Sequence, residues 1–221
     1  MTTKVIIIAA GDATRWQNFL GVPKHLIPIK GEPILYRTVR LLKENNITDI
    51  SIVSPQDDRY DIPGTHFFVP VKNPKHYGVD KFINSKELWN KKGKTIIIYG
   101  DCYYTEEAIK TIVSYEEKQW NIFCRFGAST FTECPYGEIF AFSFYPEHHK
   151  EFLEKFLYIV ELCDSKKIFK SGGWQFYRAM MGAKGEQIDR HKQYSIGIEI
   201  NDFTDDFDYP DDYLKFLKKF K

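Results

Sequence analysis

Cysteine is scarce in this 221-residue chain: four residues, Cys102, Cys124, Cys134 and Cys163, stand far apart. No C-x-x-C pair and no Cys/His spacing of a zinc site occurs, which excludes a disulfide framework and a zinc module. The thiols read as small buried apolar groups in a reduced setting. Charge of one sign is also missing. The 31 Lys and Arg against 30 Asp and Glu leave a formal charge of +1, so electrostatics give no case for nucleic acid or an anionic membrane as partner. No apolar run approaches the roughly 20 residues of a spanning helix, and nothing near Met1 reads as a signal or transit peptide. A cytoplasmic protein is expected. No repeat, low-complexity tract or linker breaks the chain, so 1–221 is expected to be one domain. Two common nucleotide signatures are absent as well, the P-loop G-x-x-x-x-G-K-[ST] and the dinucleotide G-x-G-x-x-G.

What is present begins with Val5-Ile6-Ile7-Ile8, an apolar run of the length and composition of a fully buried strand. It stops at Ala9-Ala10-Gly11, where nearly bare backbone can bring N–H groups close to an anion. Arg15 follows, and Lys24 sits behind Pro23. Together they suit a polyphosphate cradle; a tight turn carrying two solvated cations is the plainer alternative.

Pro33, then Ile34, Leu35, Val39, Leu41 and Leu42, predict an amphipathic helix to about Asn45. Strands follow at Ile50–Val53 and Phe67–Val69, a turn at Asn73–Tyr77, and a helix from about Asp80 to Asn90. Thr95–Tyr99 is the next strand, ending in Gly100-Asp101, and Thr105 opens a helix with Glu106 and Glu107 in its first turn. This order favours an α/β sheet. In the second half, strands are expected at Ile122–Phe126 and Gly137–Tyr145, with Phe140, Phe142 and Phe144 sharing one face. Helices are expected after Pro146 and around Trp174–Met181, a strand over Tyr194–Ile200, and a last helix over Tyr213–Lys221.

Two acidic features complement the cradle. Asp101 stands at the carboxyl end of a buried strand, where open α/β sheets collect ligands and where a carboxylate can hold Mg²⁺ against phosphates. Capping the next element is its bland alternative. The run Asp202, Asp205, Asp206, Asp208, Asp211 and Asp212 reads mostly as solvated loop and helix start. Within it Asp208, with Asp206 as second choice, is the candidate metal carboxylate.

The motifs also resemble the MobA-like nucleotidyltransferase (NTP transferase, sugar-phosphate pyrophosphorylase) family. Its A-A-G-x-G-x-R stands here as Ala9-Ala10-Gly11-Asp12-Ala13-Thr14-Arg15. Its P-K-x-L-x-P-x-x-G-x-P-[LI]-L stands as Pro23-Lys24-His25-Leu26-Ile27-Pro28, then Gly31-Glu32-Pro33-Ile34-Leu35. Gly100-Asp101 matches the family's metal-binding Asp. Phe207-Asp208-Tyr209-Pro210-Asp211-Asp212 is similar to the closing V-D-T-P-E-D. Asn73 to Ser85 is loosely similar to the N-x-x-Y…N-x-x-S pattern of bacterial choline-phosphate and sugar-phosphate cytidylyltransferases. The chain departs from the family at Ala13, where a glycine is usual, and at Asp12, which brings an acid to the loop.

The resemblance implies a three-layer α/β/α Rossmann-like fold with a mixed, mostly parallel sheet. Residues 1–119 would form the nucleotide-binding half, and 120–221 the acceptor half with the second metal ligand. It implies Mg²⁺ on Asp101 and Asp208, and catalytic roles for these two with Arg15 and Lys24. Nucleotide contacts are expected from residues 9–15, Lys24, Ser85 and Gly100. The substrates would be an NTP, with CTP favoured, and a phosphorylated sugar or phosphocholine-like acceptor whose phosphate displaces pyrophosphate. Glu138, Lys170, Trp174 and Arg178 are the candidate acceptor residues, although solvated surface charge is the better reading of the charged three. Trp174, Tyr177, Phe140 and Phe142 could form a cage for a quaternary ammonium, with core packing as the alternative. A glycosyltransferase of the related GT-A fold and a non-catalytic nucleotide binder are the rival readings. The first usually shows Asp-x-Asp, whereas this chain has Asp101-Cys102-Tyr103.

Overall fold

The computed structural model describes residues 2–10, 14–71, 78–190 and 196–220. In chain order the strands are β1 Thr3–Ile8, β2 Pro28–Ile29, β3 Glu32–Pro33, β4 Asp49–Val53, β5 His66–Phe68, β6 Lys94–Tyr99, β7 Cys102–Tyr103, β8 Asn121–Arg125, β9 Glu138–Phe144, β10 Ile198–Glu199 and β11 Asp205–Asp206. The α-helices are α1 Ile34–Glu44, α2 Asp80–Asn84, α3 Glu106–Ser114, α4 His149–Asp164, α5 Gly173–Met180 and α6 Pro210–Lys219.

Seven strands form one sheet in the order β10-β8-β9-β6-β1-β4-β5; β11 pairs with β7 and β2 with β3 in two small ladders. The contacts of β1 with β4 and β6, and of β4 with β5, are parallel, while β9 runs antiparallel to both neighbours. The expected mixed, mostly parallel three-layer α/β/α arrangement is therefore what forms. The apolar run of β1 is divided by its period of two: Val5 and Ile7 face α1 and α3, while Ile6 and Ile8 face α2, α4 and α5.

This topology positions the site. From β1 the chain proceeds to β4 and β5 on one side, then returns to β6 on the other, so the switch point lies at the carboxyl ends of β1 and β6. Ala9 donates to the Val53 carbonyl at 2.7 Å, and Gly100 to that of Ile8 at 2.8 Å. A Cβ on Gly100 would lie 3.0 Å from that of Ala9, so the two strand ends approach as closely as they do because residue 100 has no side chain.

A third apolar cluster joins the chain's two ends. Trp16, Ile27, Ile29 and Ile34 pack with Tyr103, Phe207, Tyr213 and Phe216, and the Tyr213 hydroxyl donates to the Pro28 carbonyl at 2.7 Å. The α6 helix thus clamps the segment carrying Asp208 onto the segment that follows β1.

Several expected elements differ in detail. The helix expected over 80–90 is a single α-turn followed by a 3₁₀ turn, Lys86–Leu88, because Ser85 closes the first turn by donating to the Phe82 carbonyl. The last strand is only Ile198–Glu199; residues 194 and 195, with the turn expected at 73–77, lie outside the described residues. The last helix starts earlier, at Pro210, and the Asp212 carboxylate accepts from the Asp208 and Tyr209 N–H groups to cap it. Phe140 does not share the face of Phe142 and Phe144. The β8–β9 register shifts where Phe123 pairs Ala141 and Cys124 pairs Ile139, leaving Phe140 as an extra residue turned toward the opposite core. Core packing, and not a cage, is what these aromatics adopt: Phe140, Phe142 and Tyr177 are buried, and the Tyr177 hydroxyl donates to the Ile196 carbonyl at 2.7 Å.

Candidate active site

A cleft of about 1050 Å³ opens over the carboxyl ends of β1 and β6. One wall comes from the segment after β1 and from the C-terminal segment: Ala10, Arg15, Lys24, Asp206 and Asp208. The other comes from α2, the end of β6, β9 and the start of α5, with Lys81, Tyr99, Glu138, Gly172, Gly173, Trp174 and Gln175. Asp101 lies between them.

On the first wall Arg15, Lys24 and Asp208 are paired with opposite charges. Lys24, held in a 3₁₀ turn behind Pro23, is only 5% exposed. Its ammonium bridges Asp101 and Asp208, with Asp208 Oδ1 at 3.4 Å. Arg15 Nη1 lies 2.5 Å from the other oxygen of Asp208, and its guanidinium lies over the Tyr209 ring. Burial works against the Lys24 charge, but Asp101 and Asp208 outweigh it and raise its pKa. Burial also works against ionised Asp101, and Lys24, with help from Lys81, holds that carboxyl well below the usual range. Both groups are charged at neutral pH. His25 beside them is different: burial pushes it down to about 3, so it stays neutral, with Nδ1 3.1 Å from the Tyr60 hydroxyl.

Glu138 on the other wall and Asp206 on the first lack such partners among the described residues. Burial, and then the charges of Asp208 and Asp101, push Glu138 up to about 8. Asp206 is raised well above the usual carboxyl range by burial and by Glu138, Asp208 and Asp101. Among the described residues neither Lys81 nor Glu138 has an ion-pair partner.

One acid of the run is purely structural. Asp205 is fully buried and accepts from Arg125 at 2.9 Å, from Thr132 at 3.0 Å and from Ser129. Arg125 also donates to the Thr204 carbonyl at 3.2 Å. The expectation of a mostly solvated acidic loop is thus corrected at Asp205: β11 alternates, so Asp205 points into the core and Asp206 into the cleft.

The cleft gathers Ala10, Arg15, Lys24, Asp101, Asp206, Asp208, Glu138 and Trp174 from the sequence-derived candidates. Ala9 and Gly100 are buried behind it and support it through the strand-end contacts. Thr14 is exposed outside the lining. Gly11, Asp12 and Ala13 lie outside the described residues. Three further candidates are not brought to the cleft. Ser85 is fully buried against the Phe82 carbonyl. Arg178 is buried on the inner face of α5 and donates to the Ile188 carbonyl at 3.2 Å. Lys170 is exposed on the loop before α5, outside the lining. Sequence reasoning missed Lys81, Tyr99 and Gln175. A lysine in an amphipathic turn and a tyrosine ending a strand carry no signal of their own.

Among the described residues no group of three His, Cys, Asp or Glu side chains forms a metal site. Asp101 and Asp208 nevertheless already converge on one cation, and their donors are all oxygen. Two carboxylates with substrate phosphates completing the shell are a usual set for Mg²⁺, so the residues fit that ion. The Asp-x-Asp alternative is absent; Cys102 is buried in β7.

Residues 5–131 match the family described as the MobA-like NTP transferase domain. Among curated proteins none matches the sequence. Solved structures share the fold over nearly the whole chain. A CTP:phosphocholine cytidylyltransferase from Streptococcus pneumoniae is similar with a TM-score of 0.63 and 15% identity over 100% of both chains. The inositol-1-phosphate CTP transferase from T. maritima has a TM-score of 0.62 at 15% identity, over 99% of this chain and 95% of that one. A Bacillus anthracis protein assigned provisionally as a glucose-1-phosphate thymidylyltransferase has a TM-score of 0.63 at 15% identity, over the same shares.

Proposed function

The chain belongs to the family of MobA-like NTP transferase domains, and on that premise we propose that it moves a nucleoside monophosphate from an NTP to a phosphorylated small molecule, releasing pyrophosphate. Nucleotidyl transfer follows from the family; the acceptor class, the choice of CTP and the use of Mg²⁺ are our reading. One observation carries it. Two carboxylates from distant parts of the chain, Asp101 and Asp208, meet at Lys24 beside Arg15 and the Ala9–Ala10 strand end.

The acceptor phosphate is ionised at neutral pH and attacks the α-phosphorus in line, so no general base is needed. Arg15 and Lys24, with backbone N–H groups after β1, take up the negative charge that accumulates on the departing pyrophosphate. Asp101 and Asp208 would hold Mg²⁺, which neutralises phosphate charge when bound. The second wall, with Glu138, Trp174 and Gln175, faces the acceptor. Likeness to two CTP-using enzymes supports CTP, and a cleft with room for two substrates supports a small acceptor. The test is pyrophosphate release from each of the four NTPs with a panel of sugar phosphates and phosphocholine-like acceptors. CTP with one phosphorylated acceptor is the expected pair. Release with no pair, or consumption of a nucleotide sugar instead, would overturn the reading.

A further inference from the structure

Among the described residues the cleft holds three cations, and they are held differently. Arg15 and Lys24 are tied to Asp208, and Lys24 also to Asp101. The Lys81 ammonium instead lies 5.2 Å from the centroid of the Tyr99 ring and 5.7 Å from that of Phe82. Those two rings stand edge to face at 6.0 Å, and Phe82 is fully buried, so the aromatic corner is fixed by the core. No ion pair of Lys81 exists among the described residues.

Lys81 is also fixed against the second half of the chain. The Gly78 N–H, three residues earlier, donates to the Ser171 hydroxyl at 2.7 Å. A Cβ on Gly78 would lie 2.8 Å from the Ser171 carbonyl oxygen, so α2 starts in direct contact with the segment leading into α5. A Cβ on Gly173 would meet the Tyr99 hydroxyl at 2.5 Å. Lys81, Tyr99, Gly172, Gly173 and Trp174 therefore share one corner of the cleft, on the wall opposite Arg15.

We propose that Lys81 is the anion anchor of the acceptor site, taking the phosphate monoester of the acceptor against the Tyr99 corner. The inference rests on the reading of a phosphorylated acceptor above. Ring faces hold an ammonium in place without satisfying its hydrogen-bond donors, so among the described residues none of the three is taken and they can meet phosphate oxygens. Burial disfavours the charge of Lys81 and Lys24 repels it; Asp101 and Asp208 oppose these effects without cancelling them. A phosphate bound beside it favours the charged form, which couples anchor and ligand. Lys24 and Arg15, whose charges are already neutralised by acids, cannot serve in the same way on that side.

The test compares Lys81→Met, near-isosteric and neutral, and Lys81→Arg with wild type, each checked for a cooperative thermal transition. In pyrophosphate release, Lys81→Met should raise the acceptor KM about ten- to a hundredfold and change the NTP KM less than about twofold, with Lys81→Arg recovering part of the loss. An unchanged acceptor KM, or a rise confined to the NTP, overturns the proposal. A second arm needs no reaction: inorganic phosphate is titrated into the free proteins and followed by calorimetry. Weakening of about tenfold or more in Lys81→Met supports the anchor, even where no NTP and acceptor pair reacts and the functional reading itself fails. Equal binding by variant and wild type, or none by wild type, overturns it. Should Lys81→Met fail to fold, Lys81→Gln takes its place in both arms, with the same two outcomes.

Discussion

The two walls of the cleft face each other across Asp101 and differ in one respect. On the loop side Arg15, Lys24 and Asp208 are charged and mutually paired. On the α2–β9–α5 side Lys81 and Glu138 have no ion-pair partner among the described residues, and Glu138 is pushed toward its neutral form by burial. A paired wall is rigid before any ligand arrives, which suits a triphosphate bound in one geometry. An unpaired wall is incomplete alone and gains most from the ligand that completes it. On the proposed reading the contrast puts the reaction on one side and selectivity on the other.

The largest effect expected from breaking this contrast comes from below it. Asp205→Ala leaves the buried Arg125 guanidinium without its carboxylate and frees the strand that delivers Asp206 and Asp208. Loss of about 3–5 kcal/mol in urea unfolding is expected, together with loss of transfer activity. Lys24→Met acts next, on the paired wall alone. It leaves Asp101 and Asp208 sharing a site without their bridging cation, and kcat should fall roughly 10²–10³-fold in pyrophosphate release.

What could be read beforehand divides along the same walls. The paired wall is built from features that neighbours in sequence declare: a buried run, small residues after it, Pro23-Lys24, Gly100-Asp101. Their strand and turn types are local, so their placement could be anticipated, whereas the pairing of Arg15 and Lys24 with Asp208 joins distant segments and could not. The unpaired wall depends on contacts between distant segments, such as Gly78 on Ser171 or Tyr99 on Gly173, that no local pattern announces. The bulge that turns Phe140 to the other core, and the inward turn of Asp205 within an acidic run, are likewise products of tertiary pairing. Arg178 and Lys170 looked equivalent as cations of the second half, yet helix phase buries one away from the cleft and leaves the other in solvent.

Smaller effects sharpen the comparison. Glu138 has a folded pKa near 8 against a usual 4.5. Between those values the unfolded chain ionises and the folded one stays protonated, so the wild type loses stability as pH rises through that window. Glu138→Gln removes the loss: its melting temperature should exceed wild type by a margin that widens from pH 5 to pH 8. A constant margin would show that Glu138 is not held neutral. The smallest effect is a deliberate blank. Lys170→Ala should leave stability within about 0.5 kcal/mol and the acceptor KM within about twofold, as fits an exposed lysine outside the lining.

The central claim is that Asp101 serves nucleotidyl transfer rather than the fold. Pyrophosphate release by Asp101→Asn, with the NTP and acceptor pair that wild type prefers and at saturating Mg²⁺, tests it directly. Abolished turnover is expected, in a protein that still melts cooperatively. Near-normal release by that variant would contradict the claim.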